Sequence, residues 1–462
     1  MKSSHADDDM ISKLLKNNHL ILDESKKGEG GDCDVFSSAS TEARVVFESK
    51  DFSLSTSHST QMYGVRSIDR EKLGFVTTNS ESEALLREAA RESQLIARLS
   101  APNPHHKIAD KVENTNHHQA VDPQLLDLNP VKLGDLAEQM IDQVLSDKRI
   151  LIDRAEITWS MNHWTFSSSN GFDQMASATH LSWYVMGMAK SGEELTGIDY
   201  EGAMVRRLSD FEDKMNRSTY EFKDSVINSL GAKKGKTYKG PIVLHPEAVM
   251  DLIGGLVSSN CNGIRQQDGM SSWKDKRGTL VASEKLVLFE DPLNMNQPEG
   301  WSPFDREGVP TEQHTLIKNG VLNFVAHNCF SASREGVKST GNASGGSRSL
   351  PGIGFHNLCV KGSDSSSAKS DEALMKAFDH GLVIKRFSGN SDFTSGQFSG
   401  VAKNSWWVEG GVRAYPVTEV MIAGNLFDLI KRVLEIGKEP HKLGGGGMAP
   451  YIIVDGVSVT SA

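Results

Sequence analysis

The sequence predicts an α+β protein: an N-terminal domain of mixed sheet carrying amphipathic helices, then a C-terminal β-rich, barrel-like domain with one central helix. Three observations carry this. The first half of the 462 residues mixes long alternating stretches with amphipathic segments. The basic segment GAKKGKTYKG (231–240) then reads as a linker. Beyond it come short strands separated by Gly, Asn, Ser and Asp, broken by one helix within PIVLHPEAVMDLIGGLVSSNCNG (241–263). The expected units are a tail with a short helix over 1–19, the α+β domain over 20–235 and the β-rich domain over 236–462. Each of the two domains is long enough for its own core.

Taken in order, residues 1–7 read as disordered, 8–18 as a short helix and 28–31 as a loop. Residues 34–52 and 53–75 alternate as strands do, and MYGVRSIDREKLGFVTT (62–78) reads as a hairpin turning at 69–71. Residues 80–99 form an amphipathic helix with Ala84, Leu85, Ala89, Leu95, Ile96 and Leu99 inward, and Ser80 with Glu83 as its capping box. Residues 102–128, rich in His, Asn, Asp and Pro, read as a solvated surface connection containing His105, His106, His117 and His118. A helix over 129–148 follows, capped by Asn129 with Pro130 in its first turn. Residues 149–168 and 180–189 are strands around a turn at 169–171, and 209–230 a third helix.

In the second half, 286–289, 314–318 and 321–326 read as strands, the last two hinged at Asn319-Gly320. Residues 340–370 read as mobile loops around a strand at 355–360. A hairpin at 405–415, a helix at 425–434 and a last strand at 451–459 complete the chain.

The helix in 241–263 is the stretch with chemical content. Pro241 to Leu244 is a short apolar strand, and Pro246 suits a first helical turn because its missing N–H costs nothing there. Val249, Leu252, Ile253, Leu256 and Val257 fall on one buried stripe. Opposite it lie Glu247, Asp251, Gly254 and Ser258. A metallopeptidase helix would need imidazoles on that face beside a carboxylate. His245 precedes the helix and lies on a different face from Asp251, so the spacing alone gives a polar face beside a core stripe.

Hydrophobic residues at 38% and charged residues at 24% describe an ordinary soluble chain, and a net charge of −10 repels phosphate backbones, which argues against nucleic-acid binding. Cys33, Cys261, Cys329 and Cys359 form no CxxC pair and read as reduced, buried thiols. No apolar run approaches membrane-spanning length and the N-terminus has no apolar signal region, so no membrane is expected and the location expected is cytoplasmic. The serine clusters at 341–345 and 396–400 do not have GxSxG spacing, and no phosphate-binding or dinucleotide fingerprint appears.

Several ordered runs resemble the TldD/PmbA (TldE) family, also called modulators of DNA gyrase: GVRSIDREKLGFVTT (64–78), SSSNGFD (167–173), VLHPEAVMDLIGGL (243–256), FEDPLNMNQPEGWSPFDREGVPT (289–311), LIKNGVLNFVAHNCFSASREGVKSTGNA (316–343) and SGQFSGVAKNSWWVEGGVRAYPVTEVMIAGNL (395–426). The TldD-like branch carries HExxxH and a later cysteine that hold a catalytic metal. Over that motif this sequence reads Pro246-Glu247-Ala248-Val249-Met250-Asp251. Residues 438–450 contain no cysteine, though His441 is present.

The resemblance therefore implies the PmbA/TldE-like branch: no catalytic residues, a degenerate motif at Pro246, Glu247 and Asp251, and no metal or other cofactor in this chain. Zinc or another divalent metal is expected only in a TldD-like partner. It implies a subunit that handles unfolded or peptide substrates, with a TldD-like metallopeptidase subunit or a second copy as partner. The expected peptide groove comprises His245, Glu247, Asp251, Thr340, Gly341, Asn342 and Phe355. The alternatives are a self-contained homodimeric peptide-binding protein without peptidase activity, or an atypical metallopeptidase using His245, Glu247, Asp251 or His441.

Overall fold

Alternation over residues 32–78 folds as expected into three antiparallel strands, β1 (Asp32–Glu48), β2 (Asp51–Asp69) and β3 (Lys72–Thr78). The β2–β3 turn falls at Arg70 and Glu71, both left-handed at φ 48° and 66°, as the right-handed twist of a tight hairpin requires. The computed structural model describes residues 2–27, 31–113, 116–364, 368–418, 420–444 and 446–461. Of the loop expected at 28–31, residues 28–30 lie outside the described residues, as do 365–367 within the loops expected at 340–370.

Helix α1 (Lys2–Lys26) corrects two expectations: it starts before residue 8 and ends beyond 18. It is no tail either, because Leu14, Ile21 and Leu22 are buried against Val35, Tyr63 and Leu86. Helix α2 (Glu83–Leu99) forms where expected but turns the other way. Leu86, Ala89, Ala90, Ser93 and Ala97 are buried, while Leu85, Leu95, Ile96 and Leu99 are exposed. The small residues win because β3 approaches closely: a Cβ on Gly74 would lie 1.8 Å from the Ser93 carbonyl oxygen. Its N-cap is Ser82, and Ser80 instead accepts the Ser82 N–H, so the capping box does not form.

Next come β4 (His117–Ala120), α3 (Pro123–Leu126) and α4 (Pro130–Leu145), the last capped by Asn129, which accepts from the Lys132 N–H. Strand β5 (Ile150–Ser168) forms where expected, β6 (Phe172–Ser191) is longer than the alternation indicated, and β7 (Glu194–Leu195), β8 (Asp199–Val205) and α5 (Phe211–Ile227) complete this half. Its sheet runs β3-β2-β1-β5-β6-β4, with β7 and β8 also on β6. Helices α4 and α5 cover one face and bury Leu133, Met140, Phe211 and Phe222 with Ile157 and Trp183.

Among its described residues the His-rich connection is only partly solvated. His106 lies against the Phe330 ring, centroids 5.4 Å apart, and His105 Nδ1 is 3.5 Å from Ser333 Oγ. Ile108 and Ala109 are buried, and β4 pairs in parallel with β6. The segment is a strap from the first sheet onto helix Cys329–Glu335 of the second half. Buried charges join the halves as well: Arg66 donates to Asp34 at 2.9 Å and to Glu307 at 2.7 Å.

The expected linker at 231–240 is partly strand, since Lys233–Lys234 pairs with Val417 and Thr418. The second half holds a ten-stranded and a six-stranded sheet around one core, in which Val249, Leu252, Ile253, Leu256 and Val257 are all buried. Asn319 and Gly320 form the left-handed hinge between His314–Lys318 and Val321–Leu322, and Gly410-Gly411 turns the hairpin Ser405–Glu409 and Val412–Thr418. The helix expected at 425–434 is only Leu426–Leu429, because Val433–Ile436 joins the sheet. The strand expected at 355–360 is shifted to Leu358–Gly362. Helices Gly263–Gln267 and Asp371–Phe378 went unread because both are short. All four cysteines are free and buried, and among the described residues no helix is long and apolar enough to cross a membrane.

Candidate functional site

Strand Tyr238–Leu244 runs parallel to strand Gly381–Ile384, with Val243 opposite Val383 and Leu244 opposite Ile384. Parallel strands end on the same side, so the residues after them emerge together. The His245 N–H donates to the Ile384 carbonyl at 2.9 Å, and His245-Pro246-Glu247 therefore sits beside Lys385-Arg386. His245 caps the helix that follows, its Nδ1 accepting from the Glu247 N–H at 3.4 Å.

That helix is not uniform. It runs as α-helix over Pro246–Val249, as a π turn over Met250–Gly254 and as α-helix again over Gly255–Asn260. A π turn bonds residues five apart, so it swings positions 246 and 251 toward one side, where an ordinary helix would separate them. Pro246, Glu247, Met250 and Asp251 accordingly line one cavity of about 1240 Å³ between the two halves. His245 lines the same cavity, its Nδ1 3.7 Å from Glu247 Oε1 and its ring edge-on to Tyr451 at 5.0 Å.

The carboxylate of Glu247 is already paired. Arg386 Nε donates to Glu247 Oε2, Nη1 to Asp199, and Nη2 to Glu201 at 3.1 Å and to the Tyr200 carbonyl at 2.7 Å. The guanidinium also lies 4.0 Å from the Tyr200 ring centroid. Lys385 Nζ reaches Glu201 at 2.6 Å, Ser225 at 3.1 Å and Asp199 at 3.3 Å. Burial works against the charge on both cations, yet the surrounding carboxylates hold them protonated. Burial pushes Glu201 up to about 7. Burial, then the neighbouring Glu247, raises Asp251. Burial holds His245 well below the usual imidazole range, hence neutral.

His441, in the stretch where the family's cysteine is expected, bonds Asp371 through Nε2 at 2.7 Å and stands edge-on to Tyr451 at 5.5 Å. The donor set does not fit a catalytic metal. Pro246 has no ligating atom, Glu247 is engaged by a guanidinium, and among the described residues no three His, Cys, Asp or Glu side chains cluster as ligands.

The expected groove residues separate into three groups. His245, Glu247 and Asp251 share the large cavity. Phe355 lines a second cavity of about 560 Å³ that adjoins the first through Met250, Glu299 and Gly446. Thr340, Gly341 and Asn342 reach neither cavity. Thr340 donates to the His327 carbonyl at 3.1 Å, and buried Asn342 donates to Glu290 at 2.7 Å. Gly341, at φ 75°, lies where a Cβ would meet the Pro310 carbonyl oxygen at 2.4 Å. These three brace a loop.

Asp199, Glu201, Lys385 and Arg386 escaped the sequence reading, since only long-range pairing assembles them. The one signal was the dibasic pair directly after an apolar strand. Residues Tyr200 to Met204 of β8 also line the large cavity, and the outer edge of β8 carries no further strand.

A cavity between two β-rich halves, entered by a strand–helix junction whose ligand positions are Pro246 and Asp251, defines a metallopeptidase-like chain without metallopeptidase ligands. Residues 236–461 match the PmbA/TldA metallopeptidase C-terminal domain, and residues 33–97 match PmbA/TldA metallopeptidase domain 1. The chain belongs to the PmbA/TldD family. It is similar to the Metalloprotease PmbA of Escherichia coli O157:H7, 27% identical over 395 residues, 81% of this chain and 80% of that one. It is also similar to the Metalloprotease TldD homolog of Buchnera aphidicola, 24% identical over 400 residues, 83% of this chain and 80% of that one. TldE from Thermococcus kodakarensis shares the fold, with a TM-score of 0.85 at 20% identity, covering 96% of this chain and 99% of that one.

Proposed function

We propose that this chain is a non-catalytic, TldE/PmbA-like subunit of a TldD–TldE type metallopeptidase, acting in the cytoplasm on unfolded or peptide substrates. The observation that carries the reading is the pairing of Glu247 with Arg386. The one motif carboxylate that could take a proton from metal-bound water is committed to a guanidinium, and the ligand positions beside it are Pro246 and Asp251. The catalytic metal then belongs to a TldD-like partner. This chain supplies the wall of the chamber and holds extended peptide in the cavity that His245, Asp251 and residues 200–204 of β8 line.

The test is elemental analysis of tag-free protein together with hydrolysis of an unstructured peptide. Near-zero divalent metal and no cleavage alone, with cleavage restored by a TldD-like chain, is the expected result. Stoichiometric metal with chelator-sensitive cleavage by the chain alone overturns it.

A second reading, a self-contained homodimeric peptide-binding protein, is favoured by the cavity lying within one chain. It predicts peptide binding without any TldD-like partner.

A further inference from the structure

The polar face of the central helix carries Glu247, Asp251, Gly254 and Ser258 in turn. The first two line the large cavity, whereas Gly254 and Ser258 line the second cavity of about 560 Å³. Met250, Glu299 and Gly446 line both, which makes the second cavity a side pocket of the first. Residues 353–358 supply much of its remaining wall.

Asn357 offers this pocket an acceptor that nothing uses. Its side chain is fixed, because Nδ2 donates to the Asp291 carbonyl at 3.2 Å and to the Gln297 carbonyl at 3.0 Å. Both partners are carbonyl oxygens, so the amide can point only one way, and Oδ1 is left without a partner although the residue is only 4% exposed. A Cβ on Gly446 would lie 3.8 Å from that Oδ1 and 3.3 Å from Glu299 Cβ, so the acceptor and the acid flank one point where the cavities join. His356 stands beside them with Nε2 unpartnered, and burial keeps its ring neutral. Its own N–H donates to Glu290, the carboxylate that also accepts from Asn342, so the expected groove residue Asn342 braces this wall from behind.

Among the described residues the lining holds one charged side chain, Glu299, and neither lysine nor arginine, whereas Lys214, Arg413 and Lys442 stand in the large cavity. Burial raises the Glu299 carboxyl, and Lys214, Arg206 and Lys442 oppose that rise.

We propose that the side pocket takes a primary ammonium group of the bound peptide, a lysine side chain or a free N-terminus, seated between Asn357 Oδ1 and the Glu299 carboxylate. This rests on the reading of the large cavity as a peptide site and names the peptides it selects. An ammonium brings only donors, so it satisfies the idle acceptor and balances the acid together. A carboxylate would face Glu299 and a second acceptor, and an apolar group would leave Oδ1 unpaired in the dark of the pocket. A lysine stem could lie along Met250, Phe355 and Leu358, which also line the pocket.

The experiment is fluorescence anisotropy on the full-length chain with equal-length, unstructured Ala/Ser peptides labelled at the C-terminus. One has a free N-terminus, one is acetylated and carries a central lysine, and one is acetylated without lysine. An ammonium-bearing peptide is expected to bind about ten- to a hundredfold more tightly than the third, the value of a charge-assisted hydrogen bond. Which of the two does so tells the terminal amine from the side chain. The chain's net charge of −10 attracts any cation, and two variants separate that from the pocket. Glu299→Gln removes the acid, and Ser258→Lys tethers an ammonium inside; each is expected to abolish the difference between the peptides, with circular dichroism confirming the fold. A preference that survives either folded variant overturns the inference. Three peptides bound alike overturn it too, while the peptide reading of the large cavity stands. Binding of none of them overturns both.

Discussion

Arg386 Nε donates to Oε2 of Glu247, and the same guanidinium reaches Asp199, Glu201 and the Tyr200 carbonyl. A side-chain cation built into the fold thus neutralises the carboxylates around the cavity. Two cations, Lys385 and Arg386, face three acids, Asp199, Glu201 and Glu247, and every member is at least three-quarters buried.

Removing the guanidinium leaves those acids unbalanced. Arg386→Met, which keeps the bulk, is expected to cost about 3–5 kcal/mol, because breaking a buried pair strands its partner charges. Urea unfolding of the variant measures this. A loss below about 1 kcal/mol, the value of an exposed pair, would show that solvent already screens the cluster.

Glu201 makes stability depend on pH. Burial raises its carboxyl to about 7, from an ordinary value of 4.5. The folded state therefore holds the proton more tightly, so its contribution is complete below about 4.5 and is lost as pH rises through about 7. Unfolding free energy is expected to fall by about 1–3 kcal/mol between pH 5 and 8. In Glu201→Gln that share of the slope disappears, while the Lys385 bond can persist through the amide oxygen. Equal slopes in both proteins would remove Glu201 as the source.

The strap from 102 to 128 should hold the halves together. His106→Ala deletes the ring contact with Phe330, worth about 0.5–1.5 kcal/mol beyond the buried area. Limited proteolysis is expected to cut the variant faster within this segment. Unchanged cleavage would mean that Ile108 and Ala109 alone anchor it.

Helix α2 offers a contrast between pattern and packing. Leu95→Glu and Leu99→Glu are expected to shift stability by no more than about 0.5 kcal/mol, because both side chains are exposed. Leu86→Ala should cost about 2–5 kcal/mol through a cavity beneath β3. Thermal unfolding of the three variants checks the order.

How far the sequence could be read followed the range of the forces involved. The stripe of the central helix, the Asn129 cap and the hinge at Asn319-Gly320 depend on neighbours within a turn, and all were legible. The α2 face was misread because leucines mark the apolar side by composition, whereas close approach of Gly74 selects alanines and Ser93. The strap was misread because polar composition suggested solvent, and the Ser333 hydroxyl and Phe330 ring that receive His105 and His106 lie more than two hundred residues away. At the cavity, Glu247 and Asp251 could be placed from their helix. Arg386 could not, because its position follows from pairing Val243 with Val383.

The parallel register at that junction also ties position 247 to position 386, so that neither can change alone. Placing imidazoles at positions 246 and 251 would put donors on the side the π turn favours, but Glu247 would still be held by Arg386. A zinc ion entering there would meet a resident positive charge. Seating a cation there needs position 386 to change as well, and a vacated guanidinium by itself leaves Asp199, Glu201 and Glu247 crowded together. A chain with this junction can vary over the rest of its cavity surface, while positions 247 and 386 are free to change only as a pair.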